Sequence, residues 1–171
     1  LFANLNAGTP VLVTNNDISS SNTSQPTVGD STGIFVTEDG TFLGYSDKNN
    51  FATIEGNTID GFATGIGLDR AGAATTVSVT LTNNALTNND VGIGLSDISG
   101  VGLTATTDDL SGMSGNALAI EIEGATVSLS GLALSGNASG ISVDDFGTLT
   151  LSTSTITGTN MGTGVLVGPT G

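Results

Sequence analysis

Carboxylates supply most of the reactive chemistry open to this chain. They recur shortly after short apolar runs, as Glu38-Asp39, Asp69, Asp97, Glu123 and Asp144-Asp145. Stacked along one edge at roughly 5 Å spacing, such side chains repel one another unless salt screens them or cations bridge them. Donor sets made only of oxygen suit Ca²⁺, so Glu123, Asp144 and Asp145 are candidate ligands of a weak Ca²⁺ site. The plainer alternative is a series of solvated acidic turns. Neither an EF-hand loop nor a glycine-rich nonapeptide calcium motif is present, and no other cofactor is expected. Paired carboxylates for glycoside hydrolysis would have to come from Asp108-Asp109 or Asp144-Asp145. The chain has no Cys, which removes disulfides, thiol catalysis and cysteine metal sites.

Hydroxyls form the second pattern. Leu12, Thr53, Thr80, Thr104, Ser128 and Thr150 share one outward position, and Thr14, Glu55, Thr82, Thr106, Ser130 and Ser152 share the next. Stacked, they make a flat polar face with almost no charge. The candidate binding face is Thr53, Thr80, Thr82, Thr104, Thr106, Ser128, Ser130, Thr150 and Ser152. A threonine array of this kind resembles the flat faces of ice-binding proteins, although the serines and Glu55 interrupt it. It could also hold glycan or pack against a neighbouring subunit. The bland reading is that Thr favours strands and its hydroxyls stabilise exposed ladders.

These positions are set by a repeat, cleanest over Thr126–Thr148, where three short runs alternate apolar and small residues as half-buried strands do. Aligned on a middle strand at Ile18, Ile59, Leu86, Leu110, Leu134 and Ile156, two apolar columns precede it. One is Val13, Ile54, Leu81, Ala105, Leu129 and Leu151, and the other is Val11, Ala52, Val79, Leu103, Val127 and Leu149. A third strand follows as GIFV at 33–36, GIGL at 65–68, GIGL at 92–95, ALAI at 117–120, GISV at 140–143 and GVLV at 164–167. Asn-rich turns lie between, and stacked amides can form ladders there. Asn22 and Asn137 also begin sequons, which an Asn- and Ser/Thr-rich chain produces by chance.

Such a period marks a solenoid. The expected fold is all-β, a right-handed parallel β-helix of about six coils of 22–27 residues. It is expected to form one domain over residues 1–171, with residues 1–10 as an N-terminal cap and loop insertions at 19–32 and 41–50. The second insertion offers Phe42, Tyr45 and Lys48 as candidate contacts. The Asn-x-Ile/Leu pieces (Asn57-Thr58-Ile59, Asn84-Ala85-Leu86) and Gly136-Asn137-Ala138-Ser139-Gly140-Ile141 resemble those of the pectin-lyase-like superfamily. The resemblance runs from about residue 10 onward. It implies the β-helix fold and a superfamily of polysaccharide lyases, glycoside hydrolases, phage tailspikes, adhesins and surface proteins. Asn57-Thr58-Ile59-Asp60 is similar to the Asn-Thr-Asp element of polygalacturonases, but that family's Gly-His-Gly and Arg-Ile-Lys elements are absent. Its lyases need basic residues to neutralise uronate. Arg70 and Lys48 alone, against a net charge of −14, do not build such a cleft.

The same charge opposes nucleic-acid backbones and anionic lipid, and no apolar run reaches the roughly 20 residues of a membrane span. Strand edges at the ends of a coil stack invite continuation. The functional expectation is therefore a non-catalytic extracellular or cell-surface module, structural or adhesive, of the kind found in adhesins and filaments. Its expected partners are other copies of itself or neighbouring repeats of a longer chain. A start at Leu1 without Met fits a processed protein or a piece of one. The alternative is a module that binds glycan or ice on the Thr/Ser face.

Overall fold

A computed structural model describes residues 11–20, 31–37, 50–70, 77–97, 103–108, 112–158 and 162–168. Every described element is a β-strand, and the strands fall three to a coil. Coil one holds β1 (Val11–Thr14), β2 (Asp17–Ser19) and β3 (Thr32–Thr37), and coil two holds β4 (Asn50–Glu55), β5 (Thr58–Asp60) and β6 (Thr64–Arg70). Coil three is β7 (Val77–Thr82), β8 (Ala85–Thr87) and β9 (Val91–Asp97), and coil four is β10 (Leu103–Asp108), β11 (Gly112–Ser114) and β12 (Leu118–Glu123). Coil five is β13 (Thr126–Ser130), β14 (Ala133–Ser135) and β15 (Ser139–Asp144), and coil six is β16 (Thr148–Ser152), β17 (Thr155–Thr157) and β18 (Val165–Val167). First strands stack only on first strands and third only on third, as two six-stranded sheets. Middle strands stack as β2-β5-β8-β11 and as the pair β14-β17. All these ladders are parallel, so the molecule is the expected parallel β-helix.

The core is a set of vertical rows. Ile34, Ile66, Ile93, Ile120 and Ile141 are stacked in register and fully buried, and Val36, Leu68, Leu95, Ile122 and Val143 form the row beside them. Aliphatic side chains repeated at one height interdigitate without needing large aromatics, because each coil narrows the interior in the same way.

Coil four departs from the expected register. Met113, not Leu110, stands level with Leu86. Ala105 lies opposite Val79 and Thr107 opposite Leu81, so Leu103 and Ala105 are each one pair away from their expected columns. Ile120 pairs with Ile93 and Ile122 with Leu95, so the third strand matches at 119–122 instead of 117–120. The cause is unequal coil length. Successive coils offset the stacked turn residues by 27 and then 21 positions, where an even 24 satisfied the apolar pattern. The first and third strands slip by two residues, which leaves their inside/outside alternation intact, so periodicity alone does not detect it, while the short middle strand slips by three. The shortest coil is thus one residue below the expected range. A side chain at Gly92 would meet Met113 Cε and the Ala119 carbonyl, and the inward row of Gly33, Gly65, Gly92, Ala119 and Gly140 holds only small residues.

Two corners hold the coils together through asparagine. At the first corner a left-handed residue (Asn15, Gly56 or Asn83) precedes Asn16, Asn57 or Asn84. Asn57 Oδ1 accepts from the Asn16 backbone N–H at 3.0 Å and its Nδ2 at 2.9 Å, and Asn57 in turn donates to Asn84 Oδ1 at 3.1 and 3.0 Å. At the second corner Gly61, Asn88, Gly115 and Gly136 are left-handed, and Asn89, Asn116 and Asn137 stack by the same bonds. Each of these amides after Asn16 also reaches down to a carbonyl of the coil below, as Asn116 Nδ2 does to Leu86 O at 2.9 Å. The ladder satisfies corner groups that the sheets leave unpaired. In coils five and six Leu132 and Ser154 take over the first-corner column, with Ser154 Oγ accepting from Leu132 N–H at 3.3 Å.

Replacing Asn116 by Ala strands the Asn89 N–H and the Leu86 carbonyl in the interior. The expected loss is about 3 kcal/mol in urea unfolding, at 1–3 kcal/mol per orphaned group. Asn16→Ala, at the exposed end of its ladder, should cost about 1 kcal/mol or less.

Candidate functional site

The outward face of the third-strand sheet gathers the acidic chemistry. In β12 the alternation that buries Ile120 and Ile122 turns Glu121 and Glu123 outward. Glu121 stands level with Gly94 and Ser142, and Glu123 with Ser96 and Asp144. Ser142 Oγ donates to Asp144 Oδ2 at 2.8 Å. Glu121 is half-buried against the sheet, and burial raises its carboxyl pKa above the ordinary glutamate value, with the nearby Glu123 and Asp144 charges adding to the rise. Beside this row lies a shallow groove of about 220 Å³ lined by Leu118, Ser139, Ile141, Ser142, Thr163 and Leu166.

The expected acidic column is only partly assembled. Glu123 and Asp144 are cross-strand neighbours, but Asp69 pairs with Ser96, which interrupts the carboxylates. Asp97 stands one place further along, level with Arg70, and is buried. Asp145 leaves the row at a turn where both it and Phe146 have positive φ, 50° and 66°. Phe146 is thereby displayed to solvent, 66% exposed. Among the described residues no group of three or more His, Cys, Asp or Glu is placed to hold a metal ion.

The hydroxyl face is built by the first-strand sheet. Its level row is Leu12, Thr53, Thr80, Thr106, Ser128 and Thr150. The second row is Thr14, Glu55, Thr82, Asp108, with Ser130 and Ser152 level in coils five and six. Thr104 therefore moves out of its expected place, level with Ser78, and Thr106 takes it. This is the same two-residue slip of coil four. Phe42, Tyr45 and Lys48, Glu38 and Asp39, the cap at 1–10 and most of both insertions lie outside the described residues.

Sequence reasoning passed over Glu121, Leu118 and Leu166. A correct register would have exposed Glu121, since it lies between two inward isoleucines. The groove has no sequence signal, because its walls come from three different coils.

A family model matches residues 2–170. The chain belongs to the NosD family, described as periplasmic copper-binding proteins. Comparison with curated proteins and with solved structures gave no match. The NosD description agrees with the expected location outside the cytoplasm and with an extracytoplasmic β-helix module. It does not fit this chain's donors as a copper site. Copper favours imidazole, thiolate and thioether ligands. The chain has no His and no Cys, and its two methionines are Met113, sealed in the core, and Met161, outside the described residues. No helix among the described residues is long and apolar enough to cross a membrane.

Glu121 makes a pH prediction. Its folded pKa is raised, so the neutral form suits the fold. The relative stabilisation is present below the unfolded pKa and is lost as pH rises through the folded value. Glu121→Gln should therefore raise the melting temperature near pH 7, and the difference from the unmodified protein should vanish below about pH 4. Asp60 works oppositely. Bonds from Thr87 Oγ1 and Asn88 Nδ2, both 2.7 Å, hold its pKa down. Its contribution is present above the unfolded value and lost as pH falls through the folded one.

Proposed function

We propose that this chain is a non-catalytic structural or adhesive module outside the cytoplasm. It joins to a second copy, or to neighbouring repeats of a longer chain, through its sixth coil. The observation that carries the reading is the state of that coil. Leu151, Val165 and Val167 are 37%, 43% and 72% exposed, whereas their row partners Leu129, Ile141 and Val143 are buried. Side chains whose rows form the core elsewhere are bare here, next to the unpaired backbone edge of β18. Such an edge is a template for pairing, and covering an aliphatic side chain contributes about 1.5–3 kcal/mol before the cost of association.

The two ends differ. In coil one Val13, Ile34 and Val36 are buried. The exposed rows of coil six are available to an end-to-end assembly and to a tail-to-tail pair alike. The non-catalytic part of the reading rests on chemistry. The chain has no His, the side chain whose ordinary pKa lies nearest neutrality, and its two basic residues do not build the cleft that uronate chemistry needs. Copper binding enters only through the NosD description, and the chain brings neither His nor Cys to it.

Sedimentation velocity over a range of concentrations tests the join: a concentration-dependent dimer is expected. Val167→Lys, at an already exposed position, should yield monomer with little change in melting temperature. A strictly monomeric protein at high concentration would defeat pairing with a second copy and leave only joining within a longer chain.

Copper is tested separately by titrating Cu(I) in the presence of a chromogenic chelator. All the metal should stay with the chelator. Retention of one equivalent by the protein would show that the donor argument is mistaken.

A further inference from the structure

We propose that the groove on the outer face of coils four to six takes a lysine or arginine side chain of a partner polypeptide. At about 220 Å³ it falls below the roughly 300–1,000 Å³ typical of small-molecule pockets. It has room for one extended side chain and not for a whole cofactor.

Its lining is divided by chemistry. Leu118, half-buried, and Leu166, 50% exposed, offer apolar walls, and Ile141 is buried beneath them. Ser139, Ser142 and Thr163 bring hydroxyls. The lining itself holds no carboxylate, but two adjoin its wall at Ser142: Glu121 is the register neighbour of Ser142, and Asp144 accepts from the Ser142 hydroxyl. An aliphatic stem lying on leucine with a cationic head among carboxylates and hydroxyls is the way long basic side chains settle at surfaces. The occupant follows from charge complementarity. Burial and the Glu123 and Asp144 charges disfavour the ionised form of Glu121, and an arriving cation removes that penalty. Phosphate, uronate and acidic peptides are repelled by the same carboxylates and by the net charge of −14. The partner sought is a basic polypeptide, which this chain, with only Lys48 and Arg70 against a net charge of −14, is not.

The groove lies on the side of the stack, but its wall Leu166 sits between Val165 and Val167 of the bare end, so the two proposals are separated through Leu151, which belongs to the other six-stranded sheet. Its failure and the failure of the pairing proposal are therefore distinguishable.

The probe is fluorescein-labelled penta-lysine, followed by anisotropy at low and physiological salt, with penta-glutamate as the opposite-charge control. Glu121→Gln is expected to weaken binding about fivefold and Leu166→Ser about threefold, the range of single surface contacts. Glu55→Gln removes the same charge from the other six-stranded sheet and should leave binding unchanged. Leu151→Lys, which disrupts the pair from the other sheet, should retain Glu121-dependent binding. Leu118→Thr provides a second groove variant if circular dichroism shows Leu166→Ser to be misfolded. Equal loss in Glu121→Gln and Glu55→Gln, or no loss in either groove variant, would mean diffuse attraction to a polyanion and would overturn the proposal.

Discussion

Everything in this molecule depends on one coil lying directly over the next. The parallel sheets hold the strands in register, but the corners must also be closed, since a turn with unpaired donors is costly to bury. Asparagine meets that demand. A left-handed residue turns the chain inward, and the following amide accepts from its neighbour in the coil before and donates to the coil after. The ladder therefore couples adjacent coils twice, through the sheets and through the corners. A solenoid tied only to nearest neighbours gains its vertical alignment from such repeated contacts.

The same vertical alignment shapes the surface. Side chains at one position in the repeat are brought together whatever their charge. On the first-strand sheet this produces a hydroxyl row at Thr80, Thr106, Ser128 and Thr150. On the third-strand sheet it sets Glu123 against Asp144 and leaves Glu121 half-buried beside them. Part of the repulsion is relieved locally: Ser96 separates Asp69 from Glu123, and Ser142 donates to Asp144. What remains is an electronegative, partly apolar face on a rigid support.

Membership of the NosD family and the chemistry of the chain point in different directions on one matter. The family description speaks of copper, while this chain offers carboxylates, amides and hydroxyls on its surface and seals Met113 in its core. A β-helix keeps its architecture through inward aliphatics and corner asparagines, which leaves outward positions free to change. Fold and ligand chemistry can therefore separate within one family.

Much of the fold was legible in the linear chain. Ile66 and Leu68, Ile93 and Leu95, and Ile141 and Val143 announce inward pairs by period alone, and Gly or Asn before an apolar residue announces the corners. The outward hydroxyls followed from the same alternation, as did the acidity of the turns after each third strand. Coil four was not legible. Ala105 and Thr107, or Leu118 and Ile120, satisfy a two-residue alternation equally well, and the choice between them is visible only in the ladder pairing of the folded coils. That choice brings Glu121 level with Ser142 and places it beside the groove. The bare rows of coil six also emerge only in three dimensions. A valine at 165 or 167 reads as core in the sequence, and whether another coil covers it is a property of the stack. The chain by itself determined that coils form and what lines them. Tertiary structure decided their register, and with it which polar groups meet, because a parallel stack accepts any even slip until side-chain volume forbids it.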